Sequence, residues 1–273
     1  MNQCIEFKPQ NEKEAGFTLV ELLVVIAVIA LLMAVLLPAL TRAKEQGKRA
    51  VCLHHLQQLF VAWAMYADSN NDKIVRDDAG EYESKHPGEI PWVQKDYDAT
   101  TLEQRIKAIE KGALFRYTKD IRVYKCPTGY SENIRMYSSV DSMNSADHTI
   151  LPGLSNNTVM IKVRQTIRKT YERIVFYDDG CLGDKAMGAF TIFVYKDTSQ
   201  GSQEWWDEPP VRHGDGLTFV FADGHTEYHK WLDKRTIALG KGETKEKKQP
   251  GNEDMRLFSL GVWGSPPVDR GSN

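Results

Sequence analysis

The amino-acid sequence predicts an α+β protein, in which a long N-terminal α-helix packs with its second half against a C-terminal antiparallel β-sheet domain. Two observations lead to this fold class. An apolar stretch at residues 17–40 continues into a segment with apolar residues at helical spacing, and several short runs rich in β-branched and aromatic residues follow. About 230 of the 273 residues lie beyond the apolar stretch, enough for a hydrophobic core.

Residues 17–40 are apolar except for Thr18, Glu21 and Pro38. As a helix this stretch would be about 36 Å long, which exceeds the ~30 Å hydrocarbon core of a bilayer. It is therefore predicted to span a membrane. A carboxylate inside such a span costs roughly 2.5–3.5 kcal/mol, so Glu21 requires an explanation. One explanation is a tolerated interfacial charge, because Glu21 lies near the start of the span.

The helix is expected to continue over residues 41–68. Apolar residues recur there near helical spacing, namely Val51, Leu53, Leu56, Leu59, Phe60, Trp63 and Tyr66. The polar cluster at residues 68–72 predicts its end. One helix from Phe17 to about Ala67 would be roughly 75 Å long, bent at Pro38, with Gly47 as a second candidate bend. Its apolar stripe needs a covering layer.

Short strands supply this layer in the prediction. The strand-like runs are IRVYKC, NTVMIKV, RIVFYDD, GAFTIFVY and GLTFVFADGHTEYHKW, between residues 121 and 231. A helix is expected within residues 100–118, before the first of the clearer strands. The charged residues 240–256, which are interrupted by Gly and Pro, are expected to form a mobile loop.

The last run predicts a β-hairpin. Asp223-Gly224 would form a two-residue turn. That turn would place Phe221 opposite Thr226 and Phe219 opposite Tyr228 on the paired strands.

The composition argues against several classes of function. The 35 basic and 37 acidic residues are well mixed, and no basic stripe offers a phosphate-binding surface, so no nucleic acid is expected as a partner. The sequence contains no nucleophile elbow, P-loop or dinucleotide fingerprint, and an enzyme is not expected.

Three interpretations of residues 17–40 compete. A cleaved secretory signal has a basic start and a shorter apolar run, and neither is present here. An ordinary transmembrane anchor explains the length but not Glu21. For such an anchor, the basic flank after the run (Arg42, Lys44, Lys48 and Arg49) would place the C-terminal bulk in the cytoplasm.

The third interpretation accounts for the glutamate. The stretch GFTLVE, residues 16–21, resembles the processing and methylation motif of type IV prepilins and type II secretion pseudopilins. The resemblance implies that prepilin peptidase removes a leader, residues 1–16, by cutting between Gly16 and Phe17, and that Phe17 is N-methylated. Glu21 becomes the fifth residue of the processed chain, and Pro38, the twenty-second, occupies the position of a helix-softening proline.

The resemblance also implies a pilin-like fold and a role in assembly. Glu21 of one subunit would meet the Phe17 ammonium of the next, since an unpaired buried charge costs several kcal/mol. The expected partners are prepilin peptidase, other pilin or pseudopilin subunits, an inner-membrane assembly platform and the lipid bilayer. The chain would be a single-pass inner-membrane protein with its C-terminal domain in the periplasm, or at the cell surface or in a filament after assembly.

This interpretation divides the chain into a leader (1–16), a transmembrane or filament-core helix (17–40), its amphipathic continuation (41–68) and a C-terminal α+β domain (69–273). The filament would be a type IV pilus or a type II secretion pseudopilus. Two alternatives remain. One is an anchored binding or adhesive protein that is processed without bulk polymerisation, and the other is an anchored enzyme with a His/Asp site on the last hairpin.

A second resemblance lies near the C-terminus. His213, nine intervening residues and then Asp223-Gly224 resemble the H-x9-DG motif of large prepilin-like proteins abundant in Planctomycetes, Verrucomicrobia and Lentisphaerae. CLHHLQQL, AMYADSN and VYKCP resemble recurring blocks of the same group, although Asn is usual where His55 stands. We expect a structural role for the motif, with His213 tethering the loop before the hairpin by bonding the Asp223 side chain or a turn amide.

The residue pattern offers two candidate metal sites, and no cofactor is expected. His225, Glu227 and His229 alternate along one strand, so they form either a metal site or an exposed polar face. Three carboxylates, Asp178, Asp179 and Asp184, could bind calcium, but their spacing is not that of an EF-hand. A solvated turn is the favoured interpretation of this acidic segment.

The four cysteines, Cys4, Cys52, Cys126 and Cys181, are spaced 48, 74 and 55 positions apart, which matches no zinc pattern. A disulfide between Cys52 and Cys126 is predicted, because Cys52 adjoins the apolar stripe and Cys126 ends a strand-like run that would stop beside the helix. Closing this loop would contribute roughly 4 kcal/mol in an oxidising periplasm. Cys181 is the less favoured partner, and two buried free thiols are the alternative.

Overall fold

The computed structural model describes residues 17–79, 87–96, 99–129, 133–144, 161–179, 189–190, 192–194, 203–205 and 207–264. Gly16 and the predicted leader lie outside the described residues, as do Cys4, Cys181 and Asp184. The chain divides into two compact units, which meet in sequence between Lys44 and Glu45.

Among the described residues, the first unit consists mainly of the apolar part of helix α1, which as a whole extends over Leu19–Ser69. Its apolar side chains between Phe17 and Leu40 are exposed. The helix is long and apolar enough to cross a membrane, by length and composition. The predicted long helix is confirmed, and α1 continues without interruption through Pro38 and Gly47.

The second unit contains the rest of α1 and a five-stranded sheet. The strands are β1 (Tyr137–Val140), β2 (Ile174–Asp178), β3 (Ala189–Phe190), β6 (Gly216–Phe221) and β7 (Thr226–Lys230), in the order β3-β1-β2-β6-β7. The four strands β1, β2, β6 and β7 pair antiparallel, whereas the two-residue β3 pairs parallel to β1. A separate antiparallel pair consists of β4 (Ile192–Val194) and β5 (Gln203–Trp205).

The apolar stripe of α1 is covered, as the sequence predicts. Its buried members are Cys52, Leu56, Leu59, Ala62, Trp63 and Ala67. They belong to one hydrophobic core that also contains the interior side chains of β2 and β6. The α+β class predicted from the sequence is therefore confirmed.

The predicted register of the last hairpin is wrong by one residue. The structure pairs Val220 with Thr226 and Phe219 with Glu227. The Phe221 N–H donates to the His225 carbonyl oxygen at 3.0 Å, so three residues, 222–224, connect these two paired positions. The Gly224 N–H donates to the Phe221 carbonyl oxygen at 2.9 Å, and Gly224 has a φ of +94°. This extra residue keeps Asp223-Gly224 in the turn but changes every cross-strand partner.

Two other predicted elements differ. The run IRVYKC is not a strand, because residues Ile121–Tyr124 form a 3-10 turn that begins where the Asp120 side chain accepts a hydrogen bond from the Arg122 N–H. Residues 240–256 are in part ordered by helix α5 (Glu253–Trp263), whose N-cap Asn252 is buried and accepts from the Met255 N–H. A charged, Gly- and Pro-rich composition therefore did not indicate a mobile loop here.

The remaining helices follow local signals. The expected helix in residues 100–118 forms as α2 (Leu102–Glu110) and the short α3 (Phe115–Thr118). Thr101 and Gln104 form a reciprocal capping box at the start of α2. Helix α4 (Lys234–Gly240) follows the hairpin, with Asp233 as its N-cap. Of the predicted strand NTVMIKV, the part before residue 161 lies outside the described residues, and Val163 forms an isolated bridge with Lys73.

Candidate functional site

Four polar side chains from distant parts of the chain meet inside the second unit. Cys52 lies on α1, Cys126 follows the 3-10 turn, Asp178 ends β2 and His213 precedes β6. All four are buried, and one potential ligand atom of each lies within 4.8 Å of the others. We call these residues the CCDH cluster.

The atoms of the CCDH cluster are in close contact. The two sulfur atoms are 3.2 Å apart, and Cys126 Sγ lies 3.3 Å from His213 Nε2. His213 Nε2 lies 3.5 Å from Asp178 Oδ2. A disulfide bond is about 2.05 Å long, so both cysteines are free thiols here. The structure brings the predicted pair together, and the disulfide itself stays a prediction.

The surroundings of the CCDH cluster shift the pKa values of its groups in different directions. The hydrogen bond from Cys52 and then that with His213 lower the pKa of Cys126 to about 4, against the effect of burial. Burial, followed by the hydrogen bond to Cys126, raises the pKa of Cys52 well above its usual value. Burial, followed by the charge of Cys126, raises the pKa of Asp178 to about 7. Cys126 is therefore the more acidic of the two thiols.

A second layer of polar groups holds His213. Its Nδ1 lies 3.1 Å from Glu45 Oε1 on α1, and Arg49 Nη2 donates to its backbone carbonyl at 2.8 Å. Burial lowers the pKa of His213, but the hydrogen bond with Cys126 and the charge of Asp178 outweigh burial and raise it. His213 has a φ of +53°, a left-handed conformation that a non-glycine residue rarely adopts.

Hydroxyl groups surround the sulfur atoms. The Thr218 hydroxyl donates to Cys52 Sγ at 3.3 Å, and the Tyr137 hydroxyl lies 3.1 Å from the same sulfur. The Thr128 hydroxyl is 3.0 Å from Cys126 Sγ. Such contacts stabilise a thiolate in a buried position.

The two parts of the H-x9-DG motif, His213 and Asp223-Gly224, make contacts in different places. His213 belongs to the CCDH cluster, and its ring nitrogens contact Cys126 and Glu45 rather than Asp223, so the predicted bond to the Asp223 side chain is wrong. Asp223 Oδ1 instead accepts from the His225 N–H at 3.1 Å and lies 2.6 Å from His225 Nδ1. Gly224 lies against the ring of Phe60 on α1.

The metal site considered for His225, Glu227 and His229 does not form among the described residues. His225 contacts Asp223 and His229 Nε2 contacts Asp254 Oδ1 at 3.3 Å, so these two imidazoles face different carboxylates. Asp178 and Asp179 are buried rather than in a solvated turn. Asp179 Oδ2 accepts from the Ser138 hydroxyl at 2.5 Å, and the calcium hypothesis for this acidic segment stays untested.

A different arrangement occurs at the start of α1, in the first unit. The Thr18 N–H and hydroxyl donate to Glu21 Oε2 at 2.9 and 2.7 Å. The Glu21 N–H in turn donates to Thr18 Oγ1 at 3.3 Å. This is a capping box, and its signature, Thr-x-x-Glu before an apolar run, is visible in the sequence. The Glu21 carboxylate therefore accepts hydrogen bonds from the Thr18 N–H and hydroxyl within its own chain.

Comparison with known proteins bears on this helix start. Residues 12–37 match the family described as the prokaryotic N-terminal methylation motif. The N-terminal segment is prepilin-like. Over 56 residues the chain is also 45% identical to the type IV wide pilus major component PilA4 of Thermus thermophilus.

The prepilin-like match is local. The aligned part is 20% of this chain and 43% of PilA4, so the chain spans less than half of that curated relative. No solved structure matches the chain significantly. The CCDH cluster lies outside the matched motif, residues 12–37.

Phe17 and Glu21 lie four positions apart at the prepilin-like helix start. Gly16 lies outside the described residues. The Phe17 residue is 75% exposed and directly precedes the capping box. Each residue of the CCDH cluster is a candidate in the sequence for a different reason: a disulfide, a calcium site or a motif. Their convergence is not visible in the sequence, because no local spacing links them.

Proposed function

We propose that this chain is a pilin-like or pseudopilin subunit that is processed by prepilin peptidase and assembled through its N-terminal helix into a type IV pilus or a type II secretion pseudopilus. The observation that carries the proposal is the methylation motif at residues 12–37 on an exposed apolar helix that begins with the Thr18–Glu21 capping box. The similarity to PilA4 supports the same class of protein.

Cleavage after Gly16 would create an ammonium group at Phe17. This charge would lie at the N-terminus of α1, where the helix dipole is positive and disfavours a cation. The Glu21 carboxylate lies one turn away and offsets that effect. The Phe17 backbone can therefore carry a charge in the monomer before any neighbour is present.

The exposed side chains of the first unit require a cover. Large apolar residues from Phe17 to Leu40 are exposed over much of their surface, which is far more than a soluble monomer tolerates. Lipid would cover them in the membrane, and equivalent helices would cover them in a filament. In a bundle the Glu21 carboxylate would be desolvated, so pairing with the Phe17 ammonium of the next subunit would fix the alignment of the helices.

We place the second unit in the periplasm, which is the orientation opposite to that given by the basic flank after the apolar run. One of the four cations in that flank takes part in the packing of the second unit. Arg49 lies 3.6 Å over the ring of Tyr228 and donates to the His213 carbonyl, so its charge contributes to domain packing.

Recovery of the chain in filaments tests the proposal. Sheared surface filaments from the native host are separated from membranes and digested, and the N-terminal peptide is identified by mass spectrometry. A peptide that begins with methylated Phe17 is expected in the filament fraction. A chain that stays monomeric in the membrane under cross-linking, with filaments that lack it, would contradict assembly.

A further inference from the structure

We propose that the CCDH cluster, Cys52, Cys126, Asp178 and His213, binds one divalent transition-metal ion of the zinc type in a closed, four-coordinate site. The site lies in the second unit, outside the methylation motif. This inference does not depend on the proposed role in filament assembly.

The ligand set suits zinc. Zn²⁺ takes thiolate, imidazole and carboxylate ligands in tetrahedral geometry, with bonds of about 2.0–2.3 Å. Neighbouring ligand atoms in such a site are about 3.3–3.8 Å apart. Three of the contacts in the cluster already measure 3.2, 3.3 and 3.5 Å. Small side-chain shifts would complete the coordination.

One buried oxygen lacks a hydrogen bond. Asp178 Oδ1 accepts from the Thr218 N–H at 2.9 Å, whereas Asp178 Oδ2 is buried without a hydrogen-bond partner. A buried acceptor without a partner costs about 1–3 kcal/mol, and more if it is charged. This oxygen points toward His213 and the sulfur atoms, where a cation would satisfy it.

The surrounding groups match those of a metal site. A histidine that ligates a metal usually offers its other ring nitrogen to a carboxylate, which fixes the tautomer and the ring orientation. Glu45 occupies that position on Nδ1 of His213, and Nε2 faces the cluster. The hydroxyl groups near both sulfurs would stabilise the thiolates. The left-handed backbone of His213 is consistent with a residue held in place for a site.

The metal would join four separate segments. Cys52 comes from α1, Asp178 from the sheet, and Cys126 and His213 from the connections beside them. Because all four ligands are buried, the site has no open position and would be structural. On binding, each thiol that is still protonated releases its proton to solvent. A Cys52–Cys126 disulfide would use two of the same sulfur atoms, so the metal and the disulfide exclude each other.

Metal content of the untagged full-length chain tests the proposal. The chain is purified in detergent under reducing conditions without chelator, and both thiols are confirmed to be reduced. Zn²⁺ uptake is measured by elemental analysis, and Co²⁺ is added as a spectroscopic probe. One Zn²⁺ per chain and the visible absorption of tetrahedral Co²⁺–thiolate are expected, with the two thiols protected from alkylation.

Variants then assign the ligands. Cys126→Ala and Asp178→Asn should abolish stoichiometric binding. Glu45→Gln should weaken it about 10- to 100-fold, which is the usual effect of losing a positioning carboxylate. His225→Gln, on the last hairpin and outside the cluster, is the matched control and should bind like wild type.

If a variant fails to fold, measurements on the wild-type chain alone test the proposed metal site. Folded, fully reduced wild-type protein that takes up far less than one equivalent of Zn²⁺, or whose Co²⁺ complex lacks thiolate absorption, would overturn the proposal. Protein isolated with a disulfide is reduced first and judged by the same two measurements. Filament recovery does not enter either measurement, so failure of the metal site and failure of assembly are distinguishable.

Discussion

Gly224 lies so close to Phe60 that a Cβ atom built on the glycine would be 2.5 Å from Phe60 Cε1. Gly224 belongs to the connection between β6 and β7, and Phe60 lies on the second half of α1. The glycine also has a φ of +94°, which side chains disfavour. The glycine of the H-x9-DG motif thus allows the hairpin turn to contact the long helix.

The variant Gly224→Ala should therefore destabilise the second unit by about 2–4 kcal/mol, which combines backbone strain with overpacking against Phe60. Denaturant unfolding of the full chain in detergent, followed by tryptophan fluorescence, measures the loss. Gly251→Ala is the control, because Gly251 has a φ of +70° but no atom within 4 Å of a built Cβ. Equal losses in the two variants would show that contact with Phe60 contributes nothing.

Replacements of Gly16 test the processing site. Gly16→Ala should still be cut, whereas Gly16→Leu should block cleavage, because the peptidase must fit the residue before the scissile bond. Intact mass of membrane-extracted protein should show residues 1–16 removed, with one methyl group added to Phe17, in wild type and Gly16→Ala. A wild-type chain that retains residues 1–16 in a host with an active peptidase would refute the prediction.

Three variants separate the two roles of Glu21. Glu21→Gln can keep the capping box, since Gln also serves in that motif, but it removes the charge. Glu21→Val removes both, and Thr18→Ala removes the hydroxyl of the cap and keeps the charge, at a cost of about 1 kcal/mol. If the charge pairs with Phe17 of the next subunit, both Glu21 variants should insert and be cleaved yet lose most filament incorporation.

Thr18→Ala should still assemble. Incorporation is read from the fraction of chain in sheared filaments, normalised to the membrane-bound, processed chain. Normal assembly of Glu21→Gln would instead assign the glutamate to helix capping alone.

Asp77 should make the stability of the domain depend on pH. Burial, followed by the nearby Asp141 and Asp78 carboxyl groups, raises the pKa of Asp77 well above its usual value. The folded state then binds more protons than the unfolded state, so this contribution to stability falls as pH rises from about 4 through the raised pKa. Asp77→Asn should remove that fall, and its advantage over wild type should grow with pH.

Unfolding measured at pH 5 and pH 8 checks this sign. Asp78→Asn is the contrasting variant, because Asp78 accepts from the buried Arg76 Nε at 2.6 Å and its loss should destabilise the domain. A difference between Asp77→Asn and wild type that does not change with pH would contradict the argument.

The long helix was predictable because its signals are local. Apolar periodicity indicated α1, and the polar cluster after it coincides with the end at Ser69, where Asn71 and Asp72 adopt positive φ. The strands β2 and β6 were likewise visible as runs of β-branched and aromatic residues. The hairpin register could not be predicted, because an Asp-Gly pair fits a two- or a three-residue connection. The three-residue connection in the structure places Gly224 against Phe60, a contact that local sequence does not reveal.

The CCDH cluster could not be predicted for a different reason. Its residues come from four segments whose neighbourhood exists only after the sheet has formed, and single-sequence patterns do not encode such distances. The strand predicted for residues 121–126 failed for a local reason. The Asp120 cap and the left-handed Lys119 favour a tight turn, which competes locally with β propensity.

The contact between Glu45 and His213 joins positions 168 residues apart, and that between Cys52 and Thr218 joins positions 166 apart. Contacts of such long range make folding slow, since a large loop must close before they contribute. In a domain that is exported in order from its N-terminal end, His213 would cross the membrane well after Glu45 and Cys52. If the domain is exported as proposed, the apolar stripe of α1 would stay uncovered until His213 and the strand after it arrive. Misfolding or binding by a chaperone would be most favoured during that interval.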